Sequence, residues 1–152
     1  MTETPQPPGD DRFDLARFVS AQEPDYHRAL VEVRGGRKRS HWMWYIFPQL
    51  RGLGFSSTAR RYAISGLEEA RAYLAHPVLG ARLRECAAAA LAVPRLTARQ
   101  IFGSPDDVKL RSCATLFALV SPPGSEFERL LQRFSDGQPD EATLALLRAE
   151  GP

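Results

Sequence analysis

Cysteine and histidine are sparse in this chain, with two Cys and three His among 152 residues. Cys86 and Cys113 make no CxxC or Cys/His ligand spacing, so neither a zinc site nor a disulfide scaffold is supported. They are expected to be small buried apolar residues in a reducing compartment, with a single disulfide left open. Long apolar runs are missing as well, and nothing approaches the roughly 18 residues of a membrane span. The start, "MTETPQPPGDD", lacks the charged opening and apolar core of a signal peptide. Its polar, proline-rich composition predicts a disordered tail over residues 1–12. Together these absences predict a soluble, cytoplasmic protein.

Acidic residues are absent from one long stretch. Between Val33 and Leu67 stand Arg34, Arg37, Lys38, Arg39, Arg51, Arg60 and Arg61, with no Asp or Glu. The remainder of the chain holds 20 − 7 = 13 basic residues against 18 acidic ones, a net charge of −5. A +7 segment therefore sits in an acidic body, and it would focus field toward an anionic ligand if folding kept it together. The alternative is a solvated basic loop.

No alternating or β-branched run is long enough for a secure strand, although a short pair near Trp44–Phe47 stays open. What is present is helix after helix, with clear punctuation. "FDLARFVSAQ" stops before Pro24, and "PDYHRALVEVRGG" runs to Gly35-Gly36. Ser65 with Glu68, Thr97 with Gln100, and Ser125 with Glu128 fit capping boxes. Ser104 before Pro105, Asp106 and Asp107 adds a hydroxyl cap, a proline at the first helical position and acidic residues at the positive helix end. The fold class expected is mainly α: a single compact domain over residues 13–150, with about seven or eight short helices and little or no β.

Both tryptophans stand in "GGRKRSHWMWYIFPQL", beside the densest positive charge. Trp42, Met43, Trp44, Tyr45, Ile46 and Phe47 cannot all face inward from one short segment. Some of this aromatic surface must therefore line a groove, meet a neighbouring loop or lie exposed; the alternative is a Trp-rich plug of the core under a loop, and one tryptophan could do each job. Rings next to Arg37, Lys38 and Arg39 suit a flat anionic ligand, the ring stacking and the cations meeting phosphate. His41 is the best titratable group here, as a proton donor, a hydrogen-bond partner or a cap. A second candidate is "IFGSPDDVKLRSCATLF", where Asp106, Lys109 and either Ser112 or Cys113 share a helix face. Neither GxxxxGK(S/T) nor GxGxxG is present, and no GxSxG elbow surrounds Ser112. No metal site or cofactor is expected.

The chain resembles the bacterial and fungal domain-of-unknown-function family numbered 1810. The likeness rests on "RFVSAQ", "YHRALVEVRGGRKRSHWMWYIFPQLRGLG", "YAISGLEEARAYLAHPVLGARL", "IFGSPDDVKLRSCATLF" and "DEATLALL", and it runs from Phe13 to Leu147. It implies a compact, mainly helical domain and carries no reaction with it. The cysteine in "SCATLF" stands where similar sequences commonly have another small residue, which weakens any essential role for the Cys113 thiol.

Two functions fit these residues. The first is a domain that binds, or acts on, a small anionic metabolite such as a nucleotide or a derivative of NAD. Trp42 or Trp44 would stack, Lys38 and Lys109 would meet anionic groups, Gln49 would hydrogen-bond the ligand, and His41 and Asp106 would be candidate acid and base. This reading requires the two segments to meet in space. The second is a non-catalytic interaction module whose basic aromatic segment binds an acidic protein. Nucleic acid is its weaker variant, because the acidic remainder repels an extended polyanion.

Overall fold

Ten helices carry most of the chain in the computed structural model, which describes residues 11–150. They are α1 (Ala16–Gln22), α2 (Tyr26–Arg34), α3 (Met43–Ile46), α4 (Ser57–Arg61), α5 (Leu67–Ala75), α6 (Leu79–Ala92), α7 (Ala98–Phe102), α8 (Asp106–Ala118), α9 (Glu126–Ser135) and α10 (Glu141–Ala149). The count exceeds the seven or eight expected because one-turn pieces such as α4 carry no periodicity. Ser56 holds α4 in place by accepting the Ala59 N–H at 3.1 Å. No strand is found among the described residues. The pair left open near Trp44–Phe47 does not form, and the one ladder contact among the described residues is an isolated parallel bridge between Leu50 and Ile64.

Residues 1–10, most of the expected tail, lie outside the described residues. The last two residues assigned to it engage the domain. Asp11 accepts the N–H groups of Leu15 at 2.6 Å and Ala16 at 3.1 Å, and Arg12 pairs with Glu68 at 2.7 Å.

Several helix ends follow the sequence and others shift by a residue. Thr97 and Gln100 form the full reciprocal box at α7. Ser125 caps α9, while the Glu128 carboxylate turns to the Gly124 N–H at 2.7 Å. The Ser65–Glu68 box is not formed: α5 starts after Gly66, and it is Glu69 that accepts the Ser65 N–H at 2.8 Å. At α8 the cap position falls on Pro105, so Ser104 caps nothing, yet Asp106 and Asp107 do occupy the acidic first turn. Gly35 ends α2, and Gly36, at φ +76°, reverses the chain.

The two longest helices, α6 and α8, organise the rest. α8 packs on α5, α7, α9 and α10, while α6 packs on α2, α5 and α9. An aromatic chain runs through the core, from Phe18 edge-on to Tyr73 at 5.1 Å, to Phe117 at 5.4 Å, to Phe127 at 5.7 Å. Each such pair contributes roughly 1 kcal/mol beyond its buried area. Gln22, buried beside this chain, donates to the Tyr45 carbonyl at 2.7 Å and accepts from Arg82 at 3.2 Å, tying α1 to α3 and α6. Gly80 marks the closest backbone approach, since a Cβ there would lie 2.1 Å from the Leu74 carbonyl oxygen. No helix among the described residues is long and apolar enough to cross a membrane.

Candidate functional site

One carboxylate shapes the basic loop. After Gly36 the chain doubles back along α2, and Glu32 accepts the N–H groups of Arg39 at 2.8 Å and Ser40 at 3.0 Å. It also accepts the Ser40 hydroxyl at 2.6 Å and the Trp42 indole N–H at 2.9 Å. Partial burial works to raise its pKa, but these four donors outweigh it and hold the carboxyl down at about 2. Sequence reasoning missed Glu32. Its partners follow seven to ten residues later across a glycine reversal, which no local motif encodes.

From this loop Lys38 reaches α8. Its backbone N–H donates to the Ile101 carbonyl at 2.7 Å, and its ammonium sits 2.8 Å from Asp106 and 5.2 Å from the centre of the Trp42 ring. Only 9% of the Lys38 side chain is exposed. Asp106 holds Lys109 as well, at 3.5 Å, and Lys109 in turn lies over the Trp44 ring at 5.5 Å. The two segments singled out by sequence therefore meet. Five of the seven candidate residues form one run of contacts, Trp42–Lys38–Asp106–Lys109–Trp44, and a sixth, Gln49, which accepts a 2.9 Å hydrogen bond from the Ser112 hydroxyl, lines the same cleft as Trp44 and Lys109. His41 stands apart. It is exposed and makes no side-chain hydrogen bond or ion pair with the described residues.

The tryptophans divide the two roles between them. Trp42 is wholly buried against Phe47, which itself packs edge-on to Phe102 at 5.7 Å. Trp44 is only half-buried and forms one wall of an open cleft of roughly 500 Å³ between α4, α8 and the start of α10. Phe55, 75% exposed, stands at the rim, and Leu53, Pro105 and Val108 complete the apolar lining. Lys109, Gln49, Ser112 and Ser56 supply polar groups within it, together with Asp140, whose carboxylate already accepts from the Thr143 N–H and hydroxyl. Apolar walls with a few convergent polar groups make the usual form of a small-ligand site. Lys38, Trp42, His41 and Asp106 do not line this cleft.

Ser112 has Gln49 and the Val108 carbonyl as its partners, with no base beside it to take the hydroxyl proton. Both oxygens of Asp106 face ammonium groups, Oδ2 that of Lys38 at 2.8 Å and Oδ1 that of Lys109 at 3.5 Å. Cys113, which shares α8 with Ser112, is fully buried, and burial raises its thiol pKa well above the ordinary value. No group of three or more His, Cys, Asp or Glu side chains suited to a metal ion occurs among the described residues. A second groove of about 330 Å³, between α7, α8 and α9, is lined by Arg99, Asp107, Arg111 and Asp136. Its charges balance, and Asp107 and Arg111 are already bonded to the backbone at Val108 and Gln138.

The fold has a solved counterpart. The crystal structure of the conserved hypothetical protein Rv1873 from Mycobacterium tuberculosis is similar with a TM-score of 0.89 and 52% sequence identity. The match covers 91% of this chain and 99% of that one. No curated protein matches the chain. The model of the family described as "Protein of unknown function (DUF1810)" matches residues 12–147, and the chain belongs to that family.

Proposed function

We propose that this protein binds a small anionic metabolite, of the nucleotide or NAD-derivative kind, in the cleft between α4 and α8. The reading is carried by one arrangement: a half-buried Trp44 ring with the Lys109 ammonium over its face, in a cleft that the Gln49 amide also lines. A planar group would lie between Trp44 and Phe55, Lys109 would meet the anionic substituent, and Gln49 and Ser112 would hydrogen-bond the ring edge. Lys38 and Asp106 serve this site from behind: Asp106 orients Lys109, and Lys38 holds Asp106 in place. His41 belongs to the proposal only as a group that a bound ligand would have to reach from outside the cleft. Binding alone, rather than catalysis, is the favoured version, because no residue pair in the cleft forms a nucleophile and its base. A cytoplasmic setting, where such metabolites and free thiols coexist, is part of the same proposal.

A second reading, an interaction module, draws support from Phe55 alone. A rim aromatic that is 75% exposed suits the cover of a protein partner as well as a ligand's ring. Titration of tryptophan fluorescence with AMP, ADP, ADP-ribose and NAD tests the first reading, with Lys109→Ala as control. Saturable quenching that Lys109→Ala weakens supports the metabolite site. A flat response to all four removes these ligands and leaves the interaction module.

A further inference from the structure

The basic segment does not stay together in the fold. Arg34 is drawn to Glu85 and Lys38 to Asp106. Arg51, Arg60 and Arg61 instead gather on the side of α4 away from the cleft, in a groove of about 360 Å³ that Arg12, Arg17, Asp14 and Glu69 also line. Two of these five arginines are already neutralised, Arg12 by Glu68 and Arg17 by the buried Glu69 at 3.0 Å. The other three are exposed and have no carboxylate within ion-pair distance among the described residues. Asp14, also exposed, is the one acid lining the groove that has no ion pair among the described residues.

The frame under these three is fixed in advance. The Leu50–Ile64 bridge sets Arg51 beside the chain leaving α4, with the Arg51 N–H 2.8 Å from the Ile64 carbonyl and the Ile64 N–H 2.9 Å from that of Gln49. Arg17 clamps the same chain by donating to the carbonyls of Arg61 at 2.7 Å and Ala63 at 2.8 Å. Arg61 lies across its neighbour Tyr62, with Nε 3.3 Å from the phenol oxygen. Three guanidinium groups held together repel one another, and an anion bridging them converts that repulsion into charge-assisted hydrogen bonds.

We infer that this groove is a second anion site, in which Arg51, Arg60 and Arg61 grip a compact ligand with clustered negative charge, such as a terminal di- or triphosphate. The inference stands apart from the cleft, sharing none of its lining residues. An extended polyanion is disfavoured by the net −5 of the chain outside the basic segment.

Calorimetric titration of the full chain with tripolyphosphate at fixed ionic strength tests it, using sulfate as a probe with a single charge centre. Saturable binding to one site is expected. Arg51→Ala and Arg60→Ala, both exposed and checked for folding by circular dichroism, should each weaken it about tenfold or more, while Lys109→Ala leaves it unchanged. The inference fails if the double Arg51→Ala/Arg60→Ala variant keeps the affinity, if sulfate binds equally well, or if Lys109→Ala abolishes binding and so moves the anion to the cleft. A single-stranded oligonucleotide whose affinity grows with its length would overturn the compact ligand in favour of nucleic acid.

Discussion

Ser112 and Gln49 meet through a 2.9 Å hydrogen bond at the back of the cleft, α8 supplying the hydroxyl and the chain after α3 the amide. Across it the two stretches that looked chemically capable in the sequence become one surface. Their other junction, Lys38 on Asp106, is shielded from solvent and lies outside the cleft.

Removing Lys109 separates binding from folding. Its side chain is partly exposed and its pair with Asp106 is long, at 3.5 Å, so Lys109→Ala should cost under about 1 kcal/mol of stability. Ligand affinity should fall about tenfold or more, the loss expected for one charge-assisted hydrogen bond. Urea melts and fluorescence titrations read the two quantities independently.

Lys38→Ala should do the reverse. It leaves Asp106, only 17% exposed, with its weaker partner alone, and a cost on the order of 3 kcal/mol is expected. A Lys38→Met/Asp106→Leu pair should recover much of that loss. Equal stability of Lys38→Ala and the wild type would contradict the structural role given to this pair.

Acid should loosen the basic loop in a defined window. Glu32 has its folded pKa lowered from an ordinary 4.5 to about 2, so the folded state favours the charged form. Its contribution is complete above the unfolded value and drains away as pH falls from about 4.5 toward 2. Glu32→Gln should flatten stability over that interval and, by removing the anion that gathers four donors, cost about 2 kcal/mol at neutral pH. Denaturant melts at stepped pH check both statements.

Trp42 and Trp44 should part company on substitution. Trp42→Ala opens a cavity at a wholly buried position and should cost about 3–5 kcal/mol. Trp44→Ala should cost far less in melting experiments and should abolish ligand-dependent quenching.

Gly80→Ala is expected to be among the most damaging single-methyl additions. Backbone, not a flexible side chain, occupies the space, so α5 and α6 would have to move apart at a cost of about 3 kcal/mol or more. Thermal melts of the purified variant, or its failure to fold, measure this.

Much of the fold was legible because its signals are local. Thr97 with Gln100 and the Gly35-Gly36 stop act within a few residues, and the structure repeats them. The Ser65 box slipped by one residue because Gly66 delays the helix and hands the role to Glu69. The division of labour between Trp42 and Trp44 follows from crowding alone, since six bulky residues cannot share one inward face. Which ring turns inward was not legible: Glu32, reached only after the chain reverses, decides it by holding the Trp42 indole. Leu53 and Phe55 gave no signal either, because a glycine-flanked loop carries no period by which to foresee a cleft wall.

α4 is only five residues long, yet its cap Ser56 and its Ala59 line the cleft while its Arg60 and Arg61 line the arginine groove. It is a party wall. Under the two proposals it stands between both occupants, and thermodynamic linkage would make any influence mutual: a ligand that tightened the second site would itself be tightened by the occupant there, by the same factor.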